Sequence, residues 1–266
     1  MADELDAYWD TGLTNPSPCG YIKGNTRRDM FVRLKKDVDI SDRIDLSDGL
    51  LTSGFSYAAA SEFYMPMCEA CDACVPIRYP VADFRMSKSQ WDLWRMMPLR
   101  QIFAYHTFES EAHLEEHREI ATMHHKLRFP EDEKMHSAYN RLSNSFFLPP
   151  ILPMRLVELR DRDGYLVAGS VNLEAVDGLY GVFYYYDTSL MHLQPGKQMI
   201  LSLLKHCHEI GKDYLYVGAW NRFNHHLAIK TQFRPYELLR GKEGWVRHEK
   251  PIGPETKTPK PNVKKP

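Results

Sequence analysis

The 266-residue chain has no apolar run of membrane-spanning length, so no helical membrane span and no membrane partner is expected. Its first residues, MADELDAYWD, are acidic and lack the basic and apolar regions of a secretory signal, which makes a cytoplasmic protein the expectation. Five cysteines are an odd and small number for a disulfide framework, and a reducing compartment disfavours one in any case. Excess positive charge is also missing. With a formal net charge of −1, any surface that holds nucleic acid must be local. There is no internal repeat. What remains is ordinary globular composition, 43% hydrophobic and 26% charged, with length enough for one large domain or two modest ones.

The scarce cysteines are concentrated. Cys68, Cys71 and Cys74 stand two residues apart in MCEACDACVPIRYP, and Cys19 follows a turn-rich segment. Thiolates at this spacing share a metal more easily than they pair with each other. Zinc, an iron–sulfur cluster or simple packing are all open for the four. Cys207, on an amphipathic stretch, reads as core.

In the first half, MFVRLKK (30–36) alternates as a strand with Phe31 and Leu34 inward, and residues 41–50 suit a short helix ending at Gly49 or Gly54. PIRYPVADF (76–84) reads as an edge strand interrupted by Pro80. SKSQWDLWRMM (87–97) offers a capping box, Ser87 with Gln90, ahead of Trp91, Leu93 and Trp94. Helices are expected at 109–128 and 132–143. They carry His113, His117, His124, His125 and His136. His113 and His117 share a face, and among so many glutamates that pattern reads as solvated rather than metal-binding.

From residue 153 the texture changes. MRLVELRD, YLVAGSVNLEAV and LYGVFYYYD form a meander, followed by an amphipathic helix at 196–211, a strand at 213–220, a helix at 224–233 and a last strand at 235–239. This β-β-β-α-β-α-β order resembles an N-acetyltransferase (GNAT) acyltransferase fold. The expected class is therefore α+β, with three divisions: a cysteine-containing N-terminal α/β subdomain (1–100), a GNAT-like catalytic domain (101–249) and a disordered Lys/Pro-rich tail (250–266). At QPGKQ, Gly196 lets a ligand approach a helix N-terminus and Lys197 adds a charge there; a plain tight turn fits the residues equally. In GVFYYYD, Tyr184 and Tyr186 face one way and Phe183 and Tyr185 the other. Asp187 closes the strand, either to take a proton from an amine or to cap a turn.

Several motifs agree in order and spacing. Pro-Cys-Gly-Tyr (18–21), CEACDACVPIRYPVADFRMSKSQ, VELRDRDGYLVAGSVN, DGLYGVFYYYD, YLYVGAW and IKTQFRPYELL together resemble the aminoacyl-tRNA–protein transferases, most closely the bacterial aspartate/glutamate leucyltransferase branch, over about Pro18 to Trp245. The resemblance implies an enzyme that moves leucine, with arginine as the alternative, from a charged tRNA to the N-terminal α-amine of proteins beginning with Asp or Glu. The modified protein is thereby marked for degradation. The chain departs from the family pattern at Gly218-Ala219-Trp220, at the following NRFNHHLAIK, and at Trp91-Asp92 after Ser-x-Ser-Gln.

Such chemistry needs a proton acceptor, an oriented ester and a cation for the acidic acceptor. Asp187 is the candidate acceptor, with Tyr184 and Tyr186 beside the ester. Arg78, Lys230 and Arg234 are candidate grips for a carboxylate, and Gly196, Lys197 and Trp220 complete the substrate-binding set. Lys205, Lys212, Arg222, Lys230 and the lysines of the tail are candidates for tRNA phosphates. Two rivals are an acyl-coenzyme A N-acyltransferase and a non-catalytic metal-binding interaction module. The first leaves the cysteines unexplained and lacks the usual Arg/Gln-x-x-Gly-x-Gly loop.

Overall fold

The computed structural model describes residues 8–35, 38–59, 62–69, 71–96, 100–105, 110–128, 142 and 152–253. The helix expected at 132–143 (Leu142 excepted), His136 and the tail from residue 254 lie outside the described residues. In chain order the elements begin with β1 (Trp9–Leu13), β2 (Ser17–Pro18), β3 (Thr26–Arg27), β4 (Asp29–Leu34), α1 (Ile40–Thr52), β5 (Ser56–Ala59), β6 (Glu62–Pro66), β7 (Cys74–Pro80), α2 (Lys88–Met96), β8 (Arg100–Tyr105) and α3 (Glu111–Arg128). They continue with β9 (Met154–Arg160), β10 (Leu166–Glu174), β11 (Gly178–Tyr186), α4 (Pro195–Glu209), β12 (Tyr214–Asn221), α5 (His225–Ala228), β13 (Tyr236–Leu239) and β14 (Trp245–His248). Two compact units result: Met1–Pro80 with Val217–Pro266, and Val81–Tyr216. The described residues from Val217 to Gly253 thus group with the first unit rather than with the residues just before them.

In the first unit an antiparallel sheet has the order β1-β4-β6-β5. Val32 and Leu34 fill its core side, so Phe31 falls in the opposite phase to the one expected and is half-buried. Its ring lies over Gly12, its cross-strand partner, where an added Cβ would stand 2.7 Å from the ring. α1 starts at Asp39, whose Oδ1 accepts the Ser41 N–H at 2.9 Å, and Gly54 follows its end with φ +88°. An added Cβ on Gly54 would meet Leu239 and Pro76, so the close approach also requires glycine. β7 buries Val75, Ile77 and Tyr79 at period two, and Pro80 is its last residue rather than an interruption. β7 pairs with β13, and β13 with β14. β14 is a further strand beyond 235–239, where the sequence pattern places the last one.

The second unit is a mixed sheet. β8, β9, β10 and β11 run antiparallel, and β11 then pairs parallel with β12 through Gly178–Tyr180 against Tyr214–Tyr216. Beyond that short parallel ladder β11 continues to Tyr186, with a bulge at Val182, where Phe183 pairs with Val171 and Gly181 with Asn172. Both α3 and α4 pack on β10 and β11. Consecutive Tyr184 and Tyr185 show that the helices take opposite faces: Tyr184 sits by Cys207 of α4, and Tyr185 meets His117 of α3. The capping box holds as read. Gln90 N–H donates to Ser87 Oγ at 3.3 Å, and Gln90 Oε1 accepts the Ser87 N–H at 2.8 Å.

Candidate active site

In the second unit, β11 delivers Tyr186 and Asp187 to the start of the segment that leads into α4. Asp187 is 5% exposed and caps a 3-10 turn over Thr188–Leu193. Its Oδ1 accepts the N–H and hydroxyl of Ser189 at 2.8 and 2.7 Å, and its Oδ2 accepts the Tyr165 hydroxyl at 2.5 Å. Burial pushes this carboxyl up, but the Tyr165 and Ser189 hydrogen bonds outweigh it, so Asp187 titrates below its ordinary value. The Tyr165 phenol is pushed up to about 12, first by that same bond and then by burial.

α4 begins at Gln194, a left-handed residue with φ 54°, and has no side-chain cap. Pro195 has no N–H, while the N–H groups of Lys197 and Gln198 both donate to the Gln194 carbonyl. Among the described residues the Gly196 N–H has no acceptor, which leaves it as the first-turn donor toward solvent or ligand. A Cβ on Gly196 would lie 3.6 Å from the Tyr186 ring, so the glycine and that ring are neighbours. The His124 ring also meets Tyr186 edge-on, with centroids 4.4 Å apart. Lys197 makes no ion pair among the described residues. Gly196 thus neighbours Tyr186, and Asp187 caps the turn that leads into the helix carrying Lys197.

Tyr184 does not join them. Its hydroxyl is buried by Cys207 and Tyr180 and has no hydrogen-bond partner among the described residues. An added Cβ on Gly181 would fall within 2.3 Å of the ring carbon bearing it, so this glycine accommodates the tyrosine. Burial pushes its phenol well above the ordinary range. The alternation along β11 decides this outcome, since the bulge precedes Tyr184 and leaves it on the α4 face, in the core.

Also in this unit lies a polar cluster that the sequence reading dismissed. His117 is 0% exposed and His113 is half-buried, so their shared helical face is not solvated. Both turn to Glu158 of β9: His113 Nε2 is 2.7 Å and His117 Nε2 3.2 Å from Glu158 Oε1. Glu158 Oε2 accepts from Arg160 Nε at 2.6 Å, and Arg160 grips Glu116 with both terminal nitrogens, at 2.9 and 2.7 Å. His117 Nδ1 is 2.6 Å from the Tyr185 hydroxyl. Tyr185 reaches there because its cross-strand partner is Gly169, where any Cβ would stand 2.5 Å from the ring. Burial pushes Glu158 up, but hydrogen bonds from His117 and Arg160 outweigh it and bring it to about 2. The i, i+4 histidine spacing was the available signal. The carboxylate that makes it matter lies 41 residues away, on another element.

The first unit holds the remaining candidates. Cys19 follows β2, Cys68 and Cys71 lie before β7, and Cys74 opens it; all four are half-buried free thiols. Burial pushes Cys74 up to about 11, and the neighbouring Cys19, Cys68 and Cys71 push it in the same direction. Burial likewise raises Cys68. The other three are thus close enough to oppose the ionisation of Cys74, which is the relation a bound cation would invert. Among the described residues, however, the only three potential ligand atoms within 4.8 Å of one another belong to His113, His117 and Glu158. Asn221 Nδ2 donates to Cys74 Sγ at 3.3 Å.

Arg78 donates from Nε to Glu237 at 2.7 Å and stacks on Trp245, 4.4 Å from its ring centre. Lys230 donates to the carbonyls of Val217 and Ala219 at 2.6 and 2.7 Å. Trp220 is 2% exposed, and its buried indole N–H has no partner among the described residues. Arg234 is exposed and makes no ion pair among them.

These parts fit a chain whose two portions each match a portion of one transferase family. The family described as "Arginine-tRNA-protein transferase, N terminus" matches residues 17–91, and "Arginine-tRNA-protein transferase, C terminus" matches residues 105–240. The chain belongs to this arginine-tRNA-protein transferase family and is an aminoacyltransferase. A protein of Gluconacetobacter diazotrophicus named aspartate/glutamate leucyltransferase is 30% identical over 235 residues, covering 85% of this chain and 83% of that one. Proteins of the same name from Phenylobacterium zucineum and Maricaulis maris are 29% and 26% identical, each covering 88–89% of this chain and 89% of its own. Among solved structures, FemX covers 82% of the chain with a TM-score of 0.43 at 10% identity. No helix among the described residues is long and apolar enough to cross a membrane.

Proposed function

We propose that this chain transfers leucine from charged tRNA to the N-terminal α-amine of proteins beginning with Asp or Glu, in the cytoplasm, and thereby marks them for degradation. The observation that carries the reading is the match to proteins named aspartate/glutamate leucyltransferase along nearly the whole chain. A GNAT-like arrangement of the second unit supports it. The β-β-β-α-β order, with β11 and β12 paired in parallel and a glycine in the first turn of α4, leaves a helix N-terminus suited to a phosphate.

In the reaction the amine lone pair attacks the ester carbonyl carbon, and the bond from that carbon to the ribose oxygen of the tRNA breaks. The surplus proton of the attacking amine ends on the departing ribose oxygen. The enzyme's work is to position the partners, hold the proton in transit and stabilise the oxyanion. Asp187 is the proposed proton carrier. Ionised and held below its ordinary pKa, it suits gripping the ammonium before attack better than retaining the proton afterwards. Tyr186 and the Gly196 N–H are the proposed flanks of the ester, and Lys197 the proposed contact to tRNA phosphate. For the acidic acceptor, Arg234 is the proposed grip among the three cations, because Arg78 and Lys230 already serve Glu237 and two carbonyls. The thiols of Cys19, Cys68, Cys71 and Cys74 have the donor chemistry for zinc or an iron–sulfur cluster, which would serve this unit's fold; no step of the transfer needs it.

The test is transfer from radiolabelled leucyl-tRNA or arginyl-tRNA to peptides beginning with Asp, Glu or Ala, with an acyl-coenzyme A control. Leucine should be transferred in preference to arginine, and to the Asp and Glu peptides only. Transfer of arginine in preference, indifference to the first residue, or acylation from coenzyme A alone would each overturn the reading.

A further inference from the structure

The geometry points to a divalent metal site of the zinc class at His113, His117 and Glu158, joining helix α3 to strand β9. His113 Nε2, His117 Nε2 and Glu158 Oε1 form a triangle with sides of 2.7, 3.1 and 3.2 Å. Tetrahedral zinc with bonds of about 2.0–2.1 Å to nitrogen and oxygen sets its ligands about 3.3 Å apart. Two sides already have that length, and the third needs to open by about half an ångström.

Protons satisfy this triangle poorly. Glu158 Oε1 is the one obligate acceptor, so both imidazoles must present Nε2–H to it, and two N–H groups then face each other across 3.1 Å. If either ring turns its lone pair inward instead, that lone pair faces the lone pairs of Oε1. One side of the triangle is repulsive in every arrangement of neutral rings. A cation at its centre satisfies all three atoms at once.

The surroundings are those of a built site. The outer nitrogen of His117 is 2.6 Å from the Tyr185 hydroxyl, and the outer oxygen of Glu158 accepts from Arg160. Partners of this kind fix ring orientation and ligand charge around bound metals. Arg160 is itself shared with Glu116, so with neutral imidazoles the group carries two carboxylates against one guanidinium. Of the two carboxylates Glu116 is 34% exposed, whereas Glu158, like His117, is buried, at 3% and 0% of their side chains. His113, at 14%, is the open side, where water would take the fourth position. The site lies on the α3 face of β11, whereas Tyr184 marks the opposite face toward α4. Its work is therefore to pin α3 to β9, and its occupancy is independent of which amino acid the enzyme transfers.

The experiment uses the full chain with Cys19→Ser, Cys68→Ser, Cys71→Ser and Cys74→Ser, which removes competition from that thiol set, stripped of metal and titrated with cobalt(II). One equivalent should bind, showing d–d bands without a thiolate charge-transfer band, and adding zinc should displace it and raise the melting temperature. His113→Ala in the same background should lose that equivalent. Absence of a bound equivalent, or its survival in His113→Ala, would overturn the site. Should His113→Ala fail to fold, zinc X-ray absorption of the parent variant decides. Imidazole scattering with a shell at about 2.0 Å supports the site, and a shell without imidazole sinks it.

Discussion

Tyr165 and Asp187 show what a single hydrogen bond does at the residue scale. The carboxylate is nearly buried while the tyrosine is 45% exposed, and their bond is one reason Asp187 titrates below its ordinary value. A carboxyl so lowered contributes stability that is present above its unfolded pKa and is lost as pH falls through the folded one. Tyr165→Phe removes the donor, moves Asp187 back toward its ordinary value and should cost about 1 kcal/mol at neutral pH, less than a buried bond to a charged group because the ring is half-exposed. Urea unfolding at neutral pH and near pH 3 checks it: the gap between the two proteins should narrow in acid. A gap that stays constant or widens would mean that the bond does not lower Asp187. The sequence placed Asp187 at the end of a strand and left its partner unnamed, because Tyr165 lies across a turn and a neighbouring strand. Tyr184 was misjudged for a related reason. Its aromatic run was legible, yet the side of the sheet each ring takes depends on a one-residue bulge at Val182 and on Gly181, which become informative only once the register is known.

At the scale of elements, local signals proved the most legible. Ser87 and Gln90 formed the expected capping box, and Gly211, with φ +70°, ended α4 as a left-handed residue. Ser87→Ala should therefore cost about 1 kcal/mol of stability, and Ser87→Asp should restore most of it, as denaturant midpoints at unchanged slope would report. An unchanged midpoint in Ser87→Ala would show that α2 is held by packing alone. What the sequence could not reveal is where long-range partners close. Glu158 turns an ordinary Glu-rich helix face into a buried polar cluster from 41 residues away. Likewise β14 pairs with β13 after a short turn whose glycines, Gly241 and Gly244, both adopt positive φ. Helical periodicity identifies a face, and only the sheet against it decides whether that face meets water.

For the whole molecule, the question is how a chain with a net charge of −1 holds a polyanion. Several cations that composition offered are engaged: Lys205 pairs with Glu209, Lys212 donates to the Ala175 carbonyl and approaches Glu174, and Arg222 pairs with Asp72. Pairing of exposed side chains is weak and does not forbid phosphate contacts, but it lowers the local excess of charge that draws RNA. Lys197 and Arg234 make no ion pair among the described residues, and the sequence after residue 253 adds Lys257, Lys260, Lys264 and Lys265 with a single glutamate. Binding of charged tRNA should therefore weaken as salt is added, with a shallow slope that reflects few phosphate contacts. Deleting residues 254–266 should make that slope shallower by at most about 3–4, since each lysine that displaces a counterion contributes up to about 0.9. Fluorescence titrations of tRNA at several salt concentrations measure both slopes. If the truncated and full chains have equal slopes, the tail does not touch phosphate, and Lys197 with the remaining basic groups of the folded units must carry the contact. If the truncated chain loses transfer at saturating tRNA as well, the tail acts in the reaction rather than in electrostatic capture. The expected outcome is a higher KM for tRNA with kcat unchanged, because a contact equally strong before and at the transition state alters binding alone.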